Sequence, residues 1–147
     1  MAQLAKNRIF PFLDAAEEQA LLAEAISKSV ALDEVVFEQG VQVHAIFVIE
    51  SGSLRVERVS SGTAIHIATL YEGEIFGEIS FVDGDPTSAR VVADEDAELL
   101  IIEKTVIHAM TQQWAGFEAR LYRSIAATLA QRLRLSDTRM FANPSWG

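Results

Sequence analysis

Residues 73–93 read GEIFGEISFVDGDPTSARVVA. Two glycines, Gly73 and Gly77, are each followed by a glutamate, and a short apolar run comes next. An acidic turn, Asp83-Gly84-Asp85, leads into Pro86-Thr87-Ser88-Ala89-Arg90 and the strand-like Val91-Val92-Ala93. Glycine-rich turns accompany anion binding because backbone N–H groups exposed at a turn attract phosphate. Yet Glu72, Glu74, Glu78, Asp83 and Asp85 crowd this stretch against a single Arg90. The punctuation is that of an anion cradle, while the charge disfavours an anion.

The texture on either side is that of short strands. Val35–Phe37, Ala45–Glu50 and Ala64–Leu70 are apolar or β-branched runs, and each is stopped by a turn signal. Leu54, Val56 and Val59 are interleaved with Arg55, Glu57 and Arg58, the alternation of a strand with one wet face. Ser60-Ser61-Gly62 is a hairpin signal, and Val91–Ala93 and Ala97–Glu103 complete the set. Strands at this spacing predict a mainly β fold, an antiparallel β-roll of jelly-roll or double-stranded β-helix type over about 30–103. Ahead of it, Asp14 and Glu17 form a capping-box pattern, predicting a helix near 14–28. After it, Thr105–Gln113 reads as one helix and 116–135 as a longer amphipathic one, with Phe117, Leu121, Ile125 and Leu129 at i+4 spacing. Arg120, Arg123, Arg132 and Arg134 read as its solvated face, and 136–147 as a loose tail. Loop 71–90 is expected to be the lid or floor of a pocket between the strands.

The chain has 147 residues, which fits one domain over 1–147, and half of them are apolar, enough for a sizeable core. Its formal charge is −9 and its pI about 4.7. Such a chain repels nucleic acid and anionic membrane, which need clustered Lys and Arg. With no cysteine there is no disulfide, thiolate metal site or thiol nucleophile. The opening MAQLAKNRIFPF lacks the apolar segment of a signal peptide, and no run approaches the ~18 apolar residues of a membrane span. A cytoplasmic protein is the expectation.

Signals for catalysis are absent. His44, His66 and His108 are far apart and match no metal-ligand spacing. Ser51, Ser61 and Ser88 lack a nucleophile-elbow setting, and Gly73 to Gly77 forms neither a dinucleotide fingerprint nor a phosphate loop with its lysine. The expectation is a non-enzyme without a metal site or cofactor.

The order VVFEQG, IFVIESGSLRV, GEIFGEISFVDGDPTSARVVA resembles the cyclic nucleotide-binding domain shared by the catabolite activator protein and the regulatory subunits of cyclic-AMP-dependent protein kinase. The resemblance covers nearly the whole chain. Phe76-Gly77-Glu78-Ile79 looks like the start of that family's phosphate-binding cassette. The resemblance implies that Gly77 lets backbone approach the ligand, and that Glu78 accepts a hydrogen bond from the ribose 2′-hydroxyl. A carboxylate suits that task because it offers acceptors only. The family places a phosphate-pairing arginine just past the proline, where this chain has Thr87. Ser88 falls where the family has a small or hydroxyl residue, followed by Ala89. Arg90 comes three positions late and has the strand parity opposite to Ala89 and Val91, so it points away from the core.

The resemblance therefore implies a ligand stretch of Gly77, Glu78, Ile79, Thr87, Ser88, Ala89 and Arg90. The ligand would be cyclic AMP or cyclic GMP. Two alternatives stay open: a nucleoside sensor that keeps the Glu78–ribose contact, or a ligand-free interaction module with a relic pocket. Ligand binding would move the C-terminal helices, to be read by another protein chain. The resemblance also allows a homodimer through helix 116–135.

Overall fold

The structure is a computed structural model that describes residues 8–142, with side chains through residue 136. Residues 1–7 of the opening segment and 143–147 of the expected tail lie outside the described residues. The elements run α1 (Ala15–Ala23), β1 (Ile26–Val30), β2 (Val35–Phe37), β3 (Ala45–Ser51), β4 (Leu54–Ser60), β5 (Thr63–Leu70), β6 (Ile75–Phe76), α2 (Glu78–Asp83), β7 (Arg90–Ala93), β8 (Ala97–Glu103), α3 (Lys104–Gln113) and α4 (Phe117–Ala142).

The strands form two four-stranded antiparallel sheets, in the orders β1-β8-β3-β6 and β2-β7-β4-β5. The expected roll is corrected here. The fold is mixed α/β, two antiparallel sheets with flanking helices, and the sheets do not close into a barrel or roll. Each keeps two free edges, and no ladder joins a strand of one to a strand of the other among the described residues. The reason lies in strand length and exposure. β6 has two residues and β2 three, too few for a ladder across a seam, and β5 is exposed over its first five residues. Period-2 alternation reports which faces are wet, not whether the edges meet.

The layers explain the apolar runs. On β3, Ala45, Phe47 and Ile49 face the core between the sheets, and Ile46 and Val48 face the helices. β8 divides likewise, Ala97 and Leu99 to one side and Leu100 and Ile102 to the other. A strand buried on both faces needs no polar alternation. Across the sheets, the ring centroids of Phe37 and Phe47 lie 5.6 Å apart, and within the first sheet Phe47 stacks on its strand partner Phe76 at 4.9 Å. Such pairs add about 0.5–1.5 kcal/mol each beyond their buried area. On the other side Leu21, Leu22, Ile107, Met110, Phe117, Leu121 and Ile125 close over the first sheet.

Two boundaries differ from expectation. The helix expected over 14–28 stops at Ala23, because Ile26–Val30 pairs with β8 from Ile26↔Ile101 to Val30↔Ala97. The tail expected from 136 onward is helical as far as Ala142. No helix among the described residues is long and apolar enough to cross a membrane.

Candidate ligand site

The site is built where β6 leaves the first sheet. Phe47↔Phe76 and Val48↔Ile75 hold β6 against β3, and Gly77 then turns the chain with φ +80° into the six-residue helix α2. A side chain at 77 would be strained by that φ, and its Cβ would lie 3.3 Å from the Ala45 carbonyl oxygen. The expected lid or floor thus contains a short helix, closed at Gly84, whose N–H donates to Ser80 O at 2.9 Å.

Turning at Gly77 places Glu78 inward and Ile79 outward. Glu78 is 3% exposed, whereas Ile79 is 53% exposed. The Glu78 carboxylate is met by Arg132 of α4, which donates one guanidinium N–H to Glu78 Oε1 and another to the Ile75 carbonyl. Burial pushes the Glu78 carboxyl above the ordinary carboxylate range, against the opposing pull of Arg132. Beside them, Phe81 of α2 stacks on Tyr122 of α4 at 6.2 Å.

The second arm of the cassette is occupied differently. Thr87 is buried, and its hydroxyl donates to Glu38 O at 2.7 Å while accepting from Val41 N–H at 3.2 Å. Its backbone adds two bonds, Thr87 N–H to Val41 O at 2.9 Å and Gly40 N–H to Thr87 O at 2.8 Å. Thr87 therefore clips the cassette to the loop after β2. Ser88 is exposed and Ala89 half-buried. Arg90 begins β7 directly opposite Glu57 and donates to Glu57 Oε1 from Nε at 3.1 Å and Nη2 at 2.6 Å. Val91 and Ala93 face the core between the sheets, so Arg90 lies on the outer face of the second sheet. The other Glu57 oxygen accepts from Arg55 at 2.9 Å.

The arginines on α4 divide: Arg123 and Arg134 are exposed, as a solvated face requires, while Arg120 and Arg132 are half-buried. Arg120 pairs with the fully buried Glu17, Arg123 lies 4.0 Å over the Phe12 ring, and Arg132 reaches Glu78. Sequence reasoning missed Arg132, although a signal existed. It falls seven residues beyond Ile125 and eleven beyond Leu121, on the core-facing stripe.

The sequence matches the family profile described as cyclic nucleotide-binding domain over residues 27–113, more than half of the chain. It is 35% identical over 103 residues to the cyclic AMP receptor protein of Thermus thermophilus, covering 69% of this chain and 46% of that protein. It is 30% identical over 103 residues to cyclic GMP-binding protein C of Dictyostelium discoideum, covering 69% of this chain and 4% of that protein. The crystal structure of the Thermus thermophilus catabolite activator protein superposes with a TM-score of 0.75 at 30% identity, covering 91% of this chain and 62% of that one. The chain thus spans less than half the length of these two curated relatives. It belongs to the cyclic nucleotide-binding domain family. Its architecture matches that of the family's non-catalytic regulatory domains.

Proposed function

We propose that this chain senses a nucleotide-like small molecule through its sugar, with Glu78 as acceptor for a ribose hydroxyl and α4 as the element that reports occupancy. The observation that carries this reading is the buried Glu78 carboxylate at the start of α2, contacted directly from α4. Gly77 and Ile79 flank it, and Ser88 and Ala89 border the second arm of the same stretch. Cyclic AMP and cyclic GMP lead as ligands, on family membership and on the names of the relatives.

A nucleoside is the second reading, and a specific observation favours it. Arg90 is held by Glu57, and the Thr87 hydroxyl is engaged by the loop at 38–41. For either to serve a phosphate it must first leave those partners. Giving up the Arg90–Glu57 pair or the Thr87 bonds offsets part of what a phosphate contact returns, so a phosphate contributes less here than at a site with its arginine. A neutral sugar and base lose nothing by the same departure.

A homodimer through α4 stays part of this reading on the resemblance alone. The effector is a separate protein surface in this reading.

Calorimetric titration of ligand-stripped protein with cyclic AMP, cyclic GMP and adenosine tests it. Binding of at least one is expected, weakened tenfold or more in Glu78→Ala, about 1.4 kcal/mol. Unchanged affinity in that variant would remove Glu78 from the ligand site. Adenosine binding without cyclic AMP binding would select the nucleoside reading.

A further inference from the structure

We propose that Arg58 of β4 supplies the cation that the cassette lacks at Thr87, meeting the phosphate of a nucleotide ligand from the second sheet. This rests on the reading of residues 77–89 as the ligand site and names the group that holds the ligand's anionic part.

Strand register places Arg58. β4 pairs with β7 without interruption from Leu54↔Ala93 to Glu57↔Arg90. Leu54 and Val56, with their partners Ala93 and Val91, pack in the core between the sheets. Arg55 and Glu57 have the opposite parity and meet Arg90 on the outer face. Arg58 therefore has the inner parity. The extra residue of this hairpin's bulge is Ile67 on β5, so the alternation of β4 is undisturbed.

The register also points Arg58 at the cassette. The next pair along it would be Arg58 and Ala89, in the second arm of the ligand stretch. The ladder ends just there, because the Gln39 side chain takes the backbone of Val59. Val59 N–H donates to Gln39 Oε1 at 2.8 Å, and Gln39 Nε2 donates to Val59 O at 3.3 Å. The same loop holds Thr87 through Glu38 O, Gly40 N–H and the backbone of Val41. One loop thus ties both the residue after Arg58 and the position where the family has its arginine. This end of the inner face is open. Ile65, the cross-strand partner of Arg58, is 56% exposed, and Arg58 is exposed as well.

The charge of Arg58 is uncommitted. Its neighbour Glu57 lies on the other face, with Oε2 engaged by Arg55 and Oε1 by Arg90. The other arginines with described side chains hold a carboxylate, lie over a ring or are otherwise engaged. Among the described residues Arg58 alone of its kind has no such partner, in a chain of formal charge −9. A guanidinium presents a planar fork of N–H donors that matches a phosphate at two points. Arg90 and Thr87 must leave protein partners to reach a phosphate, and Arg58 leaves none.

The test titrates the full, ligand-stripped chain with cyclic AMP and with adenosine, comparing it with Arg58→Gln, Arg58→Lys and Glu78→Ala. An exposed side chain without a partner can be replaced with no change in the urea midpoint, which separates a lost contact from a lost fold. Arg58→Gln is expected to weaken cyclic AMP by about tenfold or more and to leave adenosine unchanged, with Arg58→Lys in between. Equal cyclic AMP affinity in Arg58→Gln, or an equal loss of both ligands, overturns the phosphate contact. The sugar reading fails separately. If Glu78→Ala binds as the unmodified chain does while Arg58→Gln loses cyclic AMP, Arg58 stands and Glu78 does not. Binding of adenosine alone keeps the sugar site and overturns Arg58, and binding of neither overturns both.

Discussion

At the scale of single residues, the hydroxyl of Thr87 joins two backbone groups, the Glu38 carbonyl and the Val41 N–H, that belong to another part of the chain. Thr87→Val keeps the shape and removes both bonds. Leaving buried polar groups short of partners costs about 1–3 kcal/mol, to be read as a lower urea midpoint. Loss of ligand affinity with an unchanged midpoint would instead assign the hydroxyl to the ligand. From the sequence, position 87 was visible only as a departure from the family's arginine. The loop that claims its hydroxyl lies more than forty residues away, beyond any local pattern. Arg90 was more legible, since strand parity sent it away from Val91, and Glu57 stands opposite it on that outer face. Arg132 was read on the solvated face, although its spacing from Leu121 and Ile125 puts it on the apolar stripe. An arginine on an apolar stripe announces a buried acid without saying which of 21 carboxylates it meets.

At the scale of elements, the second sheet carries its charge on the outer face of β4 and β7. Arg90 and Arg55 both donate to Glu57 and hold its carboxyl below the ordinary carboxylate range. A carboxyl whose folded pKa is depressed adds stability that is complete above its unfolded value and is lost as pH falls through the folded one. The urea midpoint is therefore expected to drop on acidification below the ordinary glutamate range, and Glu57→Gln should flatten part of that drop. An acid limb identical in the variant would show that Glu57 carries none of it. In this sheet β4 was readable by its alternation and β5 by the hairpin signal at Ser60-Ser61-Gly62 that precedes it. β1 was not, since Ile26 extends the apolar spacing of α1 and only pairing with β8 makes ISKSV a strand. α2 is six residues long, shorter than the window in which a helical period can be recognised. Whether the sheets close was beyond alternation altogether.

At the scale of the whole molecule, the inner strands of the first sheet, β3 and β8, are buried on both faces, by the second sheet and by the helices. α4 packs on this rigid layer at one end only. Its first three turns contribute Phe117, Leu121 and Ile125 to the core, while beyond Leu129 the surface is exposed around Arg132. Amide exchange should therefore rise steeply along α4, from slow at 117–125 to fast beyond 133, and nucleotide or nucleoside should change the distal part most. Uniform protection along the helix would contradict an anchorage confined to its root. Which helices flank the sheets was legible from their periodicity, but the difference between the two ends of α4 depends on partners in α1 and α2.

A stiff rod clamped at one end is a pointer. From Ile125 to Ala142 the helix extends roughly 25 Å, so a tilt of about 10° at the clamp carries the far end about 4 Å. A rearrangement confined to one carboxylate thus becomes a displacement as large as a side chain, delivered well clear of the pocket. A protein seated on that end would register the change without touching the ligand.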